Sequence, residues 1–444
     1  MQELCPSASP EPVAIAAPSG GARVRRAEHN PFVPQAKTVR LATPGRMGVL
    51  DFVRGLLLVL ITVNHFPGPH TAFTYERLGF FTWAEGFVFL AGLTGGLFWG
   101  RGLARSGPVE FRNRVWGRAW EIYVWHMATL AVVVLLGIVI RAATAGSAHQ
   151  PYGEWFSHNL APFSERPAIS WTLAGALVLL PSLLDVLPMY CLFLLAAPFA
   201  FIACHAGRWR TVLAISAAVW VASHMGLGAA LTGWMPSEWR AGFHVFDPFA
   251  WQLLFVVGLI VGHLAARREL PAWVLSPWTT VMAALIVLGC MYLRLPWEAM
   301  GMHAAWAPPF EWVDRRLLPP GRILSFLAFV LVFAAIYRAR PQWFTWEPLE
   351  CLGRNSLPAF SAHIVYLYCF TYWVGLGFQT EPHATKVSAW TSVGLMALGV
   401  ICLFAVARAY ERYMAAGKAS ASPARAGEVA RSAESRQRYT TAVN

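Results

Sequence analysis

Charge is scarce in this chain. Lys, Arg, Asp and Glu make up 13% of its 444 residues, while 57% are hydrophobic. Soluble domains carry about 25% charged residues. Several apolar runs reach spanning length, so the composition points to a polytopic, all-α membrane protein. The seven cysteines (Cys5, Cys191, Cys204, Cys290, Cys351, Cys369 and Cys402) form no CxxC and no zinc spacing, so they read as small apolar fillers rather than metal ligands. Walker, GxGxxG and HExxH patterns are missing, which leaves NTP, dinucleotide and zinc chemistries without support, and no metal site is expected. No internal repeat is strong enough to claim a transporter pseudo-symmetry. The net charge of +12 does not imply a nucleic-acid partner, because it lies in the tails and in alternate loops, the pattern of the positive-inside rule.

Residues 1–45 are rich in Pro, Ala and Ser with scattered Arg and Lys, and no apolar core of signal-peptide type lies among them. They are expected to form a disordered basic cytoplasmic tail. The span-bearing domain is expected over 46–410, and a polar, basic, disordered tail over 411–444. Apolar runs predict ten spans: Gly48–Phe66, Thr82–Gly100, Ala119–Ile140, Val186–Cys204, Thr211–Leu231, Pro248–Ala266, Pro277–Leu293, Arg322–Tyr337, Ser356–Phe378 and Ser388–Tyr410. Gly92, Gly96 and Gly100 recur every four residues with Gly95 beside them, so a neighbouring helix can approach closely there. Arg101, Arg105, Arg112, Arg114 and Arg118 crowd one expected loop, which should be cytoplasmic; the cation-poor stretch Ala142–Pro188 should face outward. Within it Ile169–Leu184 is too short to span and reads as a re-entrant or interfacial segment. Both termini are then inside.

The ionisable residues inside apolar runs are the functional candidates, since such groups are costly in lipid. Leu50–Pro67, LDFVRGLLLVLITVNHFP, carries Asp51, Arg54 and His65. Arg54 and His65 are eleven residues apart, about 16 Å along a helix and on nearly the same face. Glu85 opens the next span at the depth of His65. A carboxylate that accepts one imidazole N–H leaves the other nitrogen as a base, so a His65–Glu85 dyad is one reading and a lone interfacial carboxylate is the other. Leu352–Tyr368, LGRNSLPAFSAHIVYLY, brings Arg354 and His363 together around Pro358, with Asn355 or Ser356 as a cap. His126 is a weaker candidate. Asp247 and Gln252 lie at the outer mouth of a span; Asp247 reads as a polyol contact or as the helix cap before Pro248.

At these residues the chain resembles a family. Arg54, ten intervening residues and then His65 is similar to the signature of the membrane acyltransferase-3 superfamily. Five blocks in order, LDFVRGLLLVLITVNHFPG, WAEGFVFLAGLTGGL (Trp83–Leu97), DVLPMY (Asp185–Tyr190), FDPFAWQLLFVVG (Phe246–Gly258) and LGRNSLPAFSAH (Leu352–His363), resemble the OpgC family. The resemblance runs from about residue 46 to about 410 and implies an inner-membrane enzyme that adds succinyl groups to osmoregulated periplasmic glucans. It implies His65 as the catalytic base and Arg54 as a residue handling acyl-CoA. The family's name implies succinyl, although nothing in the sequence selects succinyl over acetyl.

The resemblance and the residues agree on a mechanism. Acyl-CoA, the donor substrate, is cytoplasmic and the glucan acceptor is outside. CoA phosphates would dock on Arg54, Arg114, Arg118 or Arg354, since Arg favours phosphate. His65, with Glu85 and His363 as further catalytic groups, would deprotonate a sugar hydroxyl as it attacks the thioester, and a covalent acyl-histidine route stays open. No permanently bound cofactor is expected. The partners are acyl-CoA, the glucan and membrane lipid. The rivals are a glycan or lipid flippase with an intramembrane proton relay, and a structural partner of the glucan synthesis machinery.

Overall fold

The structure, a computed structural model, describes residues 47–66, 74–143, 160–234, 246–295, 314–374 and 389–441. The basic tail expected over 1–45 lies outside the described residues. So do Cys5 and the first part of the expected outer loop, which is described only from Leu160. The described chain is helical, with no strand. In order it forms α1 (Gly48–Asn64), α2 (Trp83–Ala143), α3 (Pro167–Gly175), α4 (Val186–His205), α5 (Trp209–His224), α6 (Leu227–Thr232), α7 (Pro248–Arg267), α8 (Pro277–Leu293), α9 (Pro320–Ala339), α10 (Glu347–Arg354), α11 (Ser356–Val374) and α12 (Ala389–Thr441).

Five described helices are long and apolar enough to cross a membrane, against ten expected spans: Trp83–Ile140, Val186–His205, Pro248–Arg267, Pro320–Ala339 and Trp390–Gly417. Pro277–Leu293 and Ser356–Phe370 are shorter apolar helices. α1, with 17 residues, carries Asp51 and Arg54 within its length.

Several boundaries follow from local chemistry. Asp247 caps α7 ahead of Pro248, its Oδ1 accepting from the amides of Phe249 and Ala250 at 2.8 and 3.3 Å. Ser276 does the same for α8 ahead of Pro277. Three expectations are corrected. The arginine-rich stretch 102–117 is helical rather than a loop, broken only at Gly107, whose φ of 74° departs from the helix before Pro108 starts it again. Arg is a good helix former, and Glu110–Arg114 and Arg118–Glu121 add pairs one turn apart. The span expected at Thr211–Leu231 stops at His224, because Gly226 takes a φ of 92°. Arg354 belongs to a separate short helix, α10. Asn355 Nδ2 donates to the Cys351 carbonyl at 2.9 Å and so closes α10, while Pro358 sits in the first turn of α11, where its missing N–H costs nothing.

Two helix pairs approach at glycine. α2 and α7 cross where Gly92 and Gly96 meet Gly258 and Gly262, and a Cβ at any of the four would strike the partner's backbone. The expected glycine stripe is thus half used: Gly100 faces open space and Gly95 meets only Trp99 of its own helix. α1 seats on α10 in the same way, Gly55 against the Leu349 carbonyl and Gly353 against that of Asp51. Gly92→Ala should therefore lower stability by about 1–3 kcal/mol through overpacking, while Gly100→Ala should be neutral or stabilising. Thermal melts of the detergent-purified variants check this, and equal melting temperatures for the two would contradict the packing.

Candidate functional site

α1 ends at the candidate base His65. His65 is the C-cap, and its amide donates back to the Thr62 carbonyl. Thr62, fully buried, lies one turn earlier and donates its hydroxyl to the Leu58 carbonyl at 2.9 Å. α11 brings His363, 2% exposed, across to meet both. Its Nδ1 lies 3.3 Å from Thr62 Oγ1 and its Nε2 2.9 Å from His65 Nδ1. The two imidazoles stack with centroids 5.1 Å apart.

This line has a direction. The single hydroxyl hydrogen of Thr62 is given to Leu58, so Thr62 Oγ1 accepts from His363 Nδ1–H. His363 Nε2 then holds a lone pair and accepts from His65 Nδ1–H. The lone pair of His65 therefore sits on Nε2, the tautomer of a general base. Thr62 was missed from the sequence, although it lies three residues before His65 and therefore close to the same face.

Glu85 is not the partner of His65, and the expected dyad is corrected. Glu85 is fully buried. Its Oε1 accepts from Arg322 Nε at 2.5 Å, and its Oε2 accepts from the Thr82 amide at 3.0 Å and hydroxyl at 2.6 Å. The second set includes the glutamate half of a capping box, the Thr82 amide on the Glu85 carboxylate, and Thr82-x-x-Glu85 was its readable signal. Arg322, 1% exposed, also binds Glu76 at 2.9 Å, and Glu76 holds Arg294 at 2.6 Å. A guanidinium buried that deeply must be matched by carboxylates, which is what claims Glu85.

At the other end of α1, Arg54 pairs with Asp51 at 3.5 Å and donates to Thr94 Oγ1 of α2 at 3.3 Å. The other expected phosphate-binding cations are ion-paired within the protein. Arg114 and Arg118 stand exposed on α2, paired with Glu110 and Glu121. Arg354 is held by Glu411 at 2.9 Å and Glu347 at 3.2 Å. The expected sugar contacts are engaged within the protein as well. Asp247 is the α7 cap described above. Gln252 accepts from Ser216 Oγ at 2.7 Å and donates to the Ser216 carbonyl at 2.8 Å, tying α7 to α5. His126 is fully buried, and neither ring nitrogen meets a hydrogen-bond partner among the described residues.

Other residues assemble around the histidine pair. Leu183, with a left-handed φ of 71°, packs with Leu367 of α11 against Phe66, the neighbour of His65. Tyr368 donates to the Ser182 carbonyl at 2.6 Å, and Asp185, 5% exposed, follows in the same turn. The charge of Arg315 acts on both His65 and Asp185; its guanidinium lies 5.7 Å from the Phe246 ring centroid and 3.5 Å from the Tyr75 hydroxyl. Asp185 lay within a quoted sequence block, but nothing there linked it to Arg315.

The histidine pair lies within a bundle that contains five helices long and apolar enough to cross a membrane, the build of a helical membrane protein. The chain belongs to the OpgC family: the family model described as OpgC protein matches residues 46–415, most of the chain. Membership implies a role in modifying osmoregulated periplasmic glucans. No curated protein and no solved structure matches the chain.

The ion network and the histidine line make separable demands. Arg322→Ala should cost about 3–5 kcal/mol, because Glu76 and Glu85 lose their buried counter-charge. The triple change Arg322→Met, Glu85→Gln and Glu76→Gln should recover more than half of the loss. Thermal melts check this; a triple variant no more stable than Arg322→Ala would contradict the network.

Proposed function

We propose that this chain is a membrane O-acyltransferase that moves an acyl group, succinyl by analogy with the family's name, from cytoplasmic acyl-CoA to a hydroxyl of a periplasmic glucan. The observation that carries the reading is the directed line Leu58–Thr62–His363–His65, which ends in a lone pair on His65 Nε2. His65 Nε2 takes the proton of the sugar hydroxyl as its oxygen attacks the thioester carbonyl. The tetrahedral intermediate collapses, the C–S bond breaks, and the imidazolium returns the proton to the departing sulfur. His363 holds His65 in the right tautomer and accepts from the N–H that becomes more acidic when His65 is charged, the orienting part that a carboxylate takes in a serine-protease triad.

In this reading the chain has ten spans with both termini inside, α1 runs outward from the cytoplasm, and the Arg54 end receives the CoA portion of the donor. Arg54 is the one expected cation that shares α1 with His65, which favours it over Arg114, Arg118 and Arg354. The glucan arrives at the opposite end, beside Arg315 and Asp185.

His65→Ala should abolish acyl esters on the glucans while leaving a folded, inserted protein. His363→Ala should lower kcat by about a hundredfold with little change in KM for either substrate, as expected for loss of an orienting partner. Mass spectrometry of periplasmic glucans from deletion strains complemented with each variant, with kinetics on purified protein, provides the check. Near-normal esterification with His65→Ala would overturn the mechanism. Unesterified glucan that fails to leave the cytoplasm in the deletion strain would favour a flippase.

A further inference from the structure

Tyr190 carries a polar group that none of the described residues uses. It lies in α4 and is 6% exposed. Its hydroxyl is buried and meets no hydrogen-bond partner among the described residues. The ring is wedged between aromatic neighbours, with centroids 6.1 Å from Phe87 and 6.4 Å from Phe193. A buried hydroxyl without a partner is destabilising, and in a native structure it demands a reason. Packing alone does not supply one, since Phe would fill the same place.

The surroundings point to an occupant. Phe87, Ala91 and Thr94 follow one another at helical spacing along one face of α2. Tyr190 touches the first of these residues, and Arg54 donates to the last. Ala91, between them in the sequence, carries only a methyl group. α1 is held against α2 nearby, where Gly86 meets Leu57. The charge of Arg54 reaches the Tyr190 hydroxyl. Depth agrees as well. The turn before α4 packs on Phe66, beside His65, and Tyr190 lies five residues past Asp185, about 7 Å further along the helix. That places the phenol between the His65 level and the Arg54 level, along the route an acyl arm would take.

We propose that the Tyr190 hydroxyl donates a hydrogen bond to a carbonyl of the acyl donor, lodged between α1, α2 and α4 with its anionic end toward Arg54. The inference rests on the acyl-transfer reading above and adds a donor-binding residue to it. The ligand class follows from the chemistry offered. A phenol in an apolar wall donates to a neutral acceptor, and the acyl-pantetheine part of an acyl-CoA is an apolar arm carrying amide and thioester carbonyls.

Tyr190→Phe removes only the oxygen and tests this cleanly. Acyl-CoA kcat/KM should fall about tenfold or more, the loss of one hydrogen bond in a buried site. Binding of a non-hydrolysable acyl-CoA analogue to protein already carrying His65→Ala should weaken by a similar factor. The melting temperature without donor should stay level or rise, because an unpartnered hydroxyl has been removed. Donor kinetics and binding within about twofold of the unchanged chain would overturn the proposal. A fall in the donor-free melting temperature would also overturn it, by revealing a partner inside the protein. An unchanged chain that transfers no acyl group would overturn both this proposal and the reading it rests on. An active chain with an unimpaired Tyr190→Phe variant would overturn this proposal alone.

Discussion

The hydrogen bond between His65 and His363 is the contact on which the rest depends. It is 2.9 Å long and joins residues 298 positions apart. It forms only if the end of α1 and the middle of α11 are held to within a few tenths of an ångström, the tolerance that general-base geometry demands. The fold fixes α1 toward both of its ends. Below, Gly55 and Gly353 let α1 and α10 touch backbone to backbone, and α10 leads directly into α11. Above, Phe66 packs with Leu367 against Leu183. The strained φ at Leu183 belongs to the turn that also presents Ser182 to Tyr368, so the strain sits where the chain is tied down most closely.

The interior holds polar groups of two kinds. Glu85, Arg322, Glu76 and Arg294 form a network in which each charge faces an opposite one. Such networks tie elements together, here the segment before α2 to α8 and α9, and are costly to break. Along α1 the polar groups are arranged differently. His65, His363 and Thr62 make a line with a direction, and Tyr190 carries a hydroxyl with no partner among the described residues. In the proposed reading the acyl donor completes the Tyr190 hydroxyl, and the sugar hydroxyl gives its proton to the end of the histidine line.

Much of the helix pattern could be read before the structure was seen, for identifiable reasons. Asp247-Pro248 and Ser276-Pro277 each mark a helix start with a capping side chain and a proline, and α7 and α8 begin where those signals place them. Proline and glycine misled elsewhere. The arginine-rich stretch read as a loop is helical, bent at Gly107 and Pro108, and Gly226 divides a run that looked continuous. His65, Arg54 and His363 stood out because ionisable groups are rare in apolar runs. The pairing was beyond reach. Glu85 shared an expected depth with His65, but depth does not say which side chain faces which. Its true partner, Arg322, lies 237 residues away and looked like the first residue of a span. The local clue that Glu85 was already engaged was the capping box with Thr82.

The tautomer of His65 tests the central claim most directly, because the proposed chemistry needs the lone pair on Nε2. Nitrogen-15 spectra of the purified protein with labelled histidine, assigned by comparison with His65→Ala and His363→Ala variants, report which ring nitrogen carries the proton. The account expects His65 protonated at Nδ1 and bare at Nε2, with loss of His363 scrambling the two forms. A His65 ring that carries its proton on Nε2, or one indifferent to the loss of His363, would contradict it.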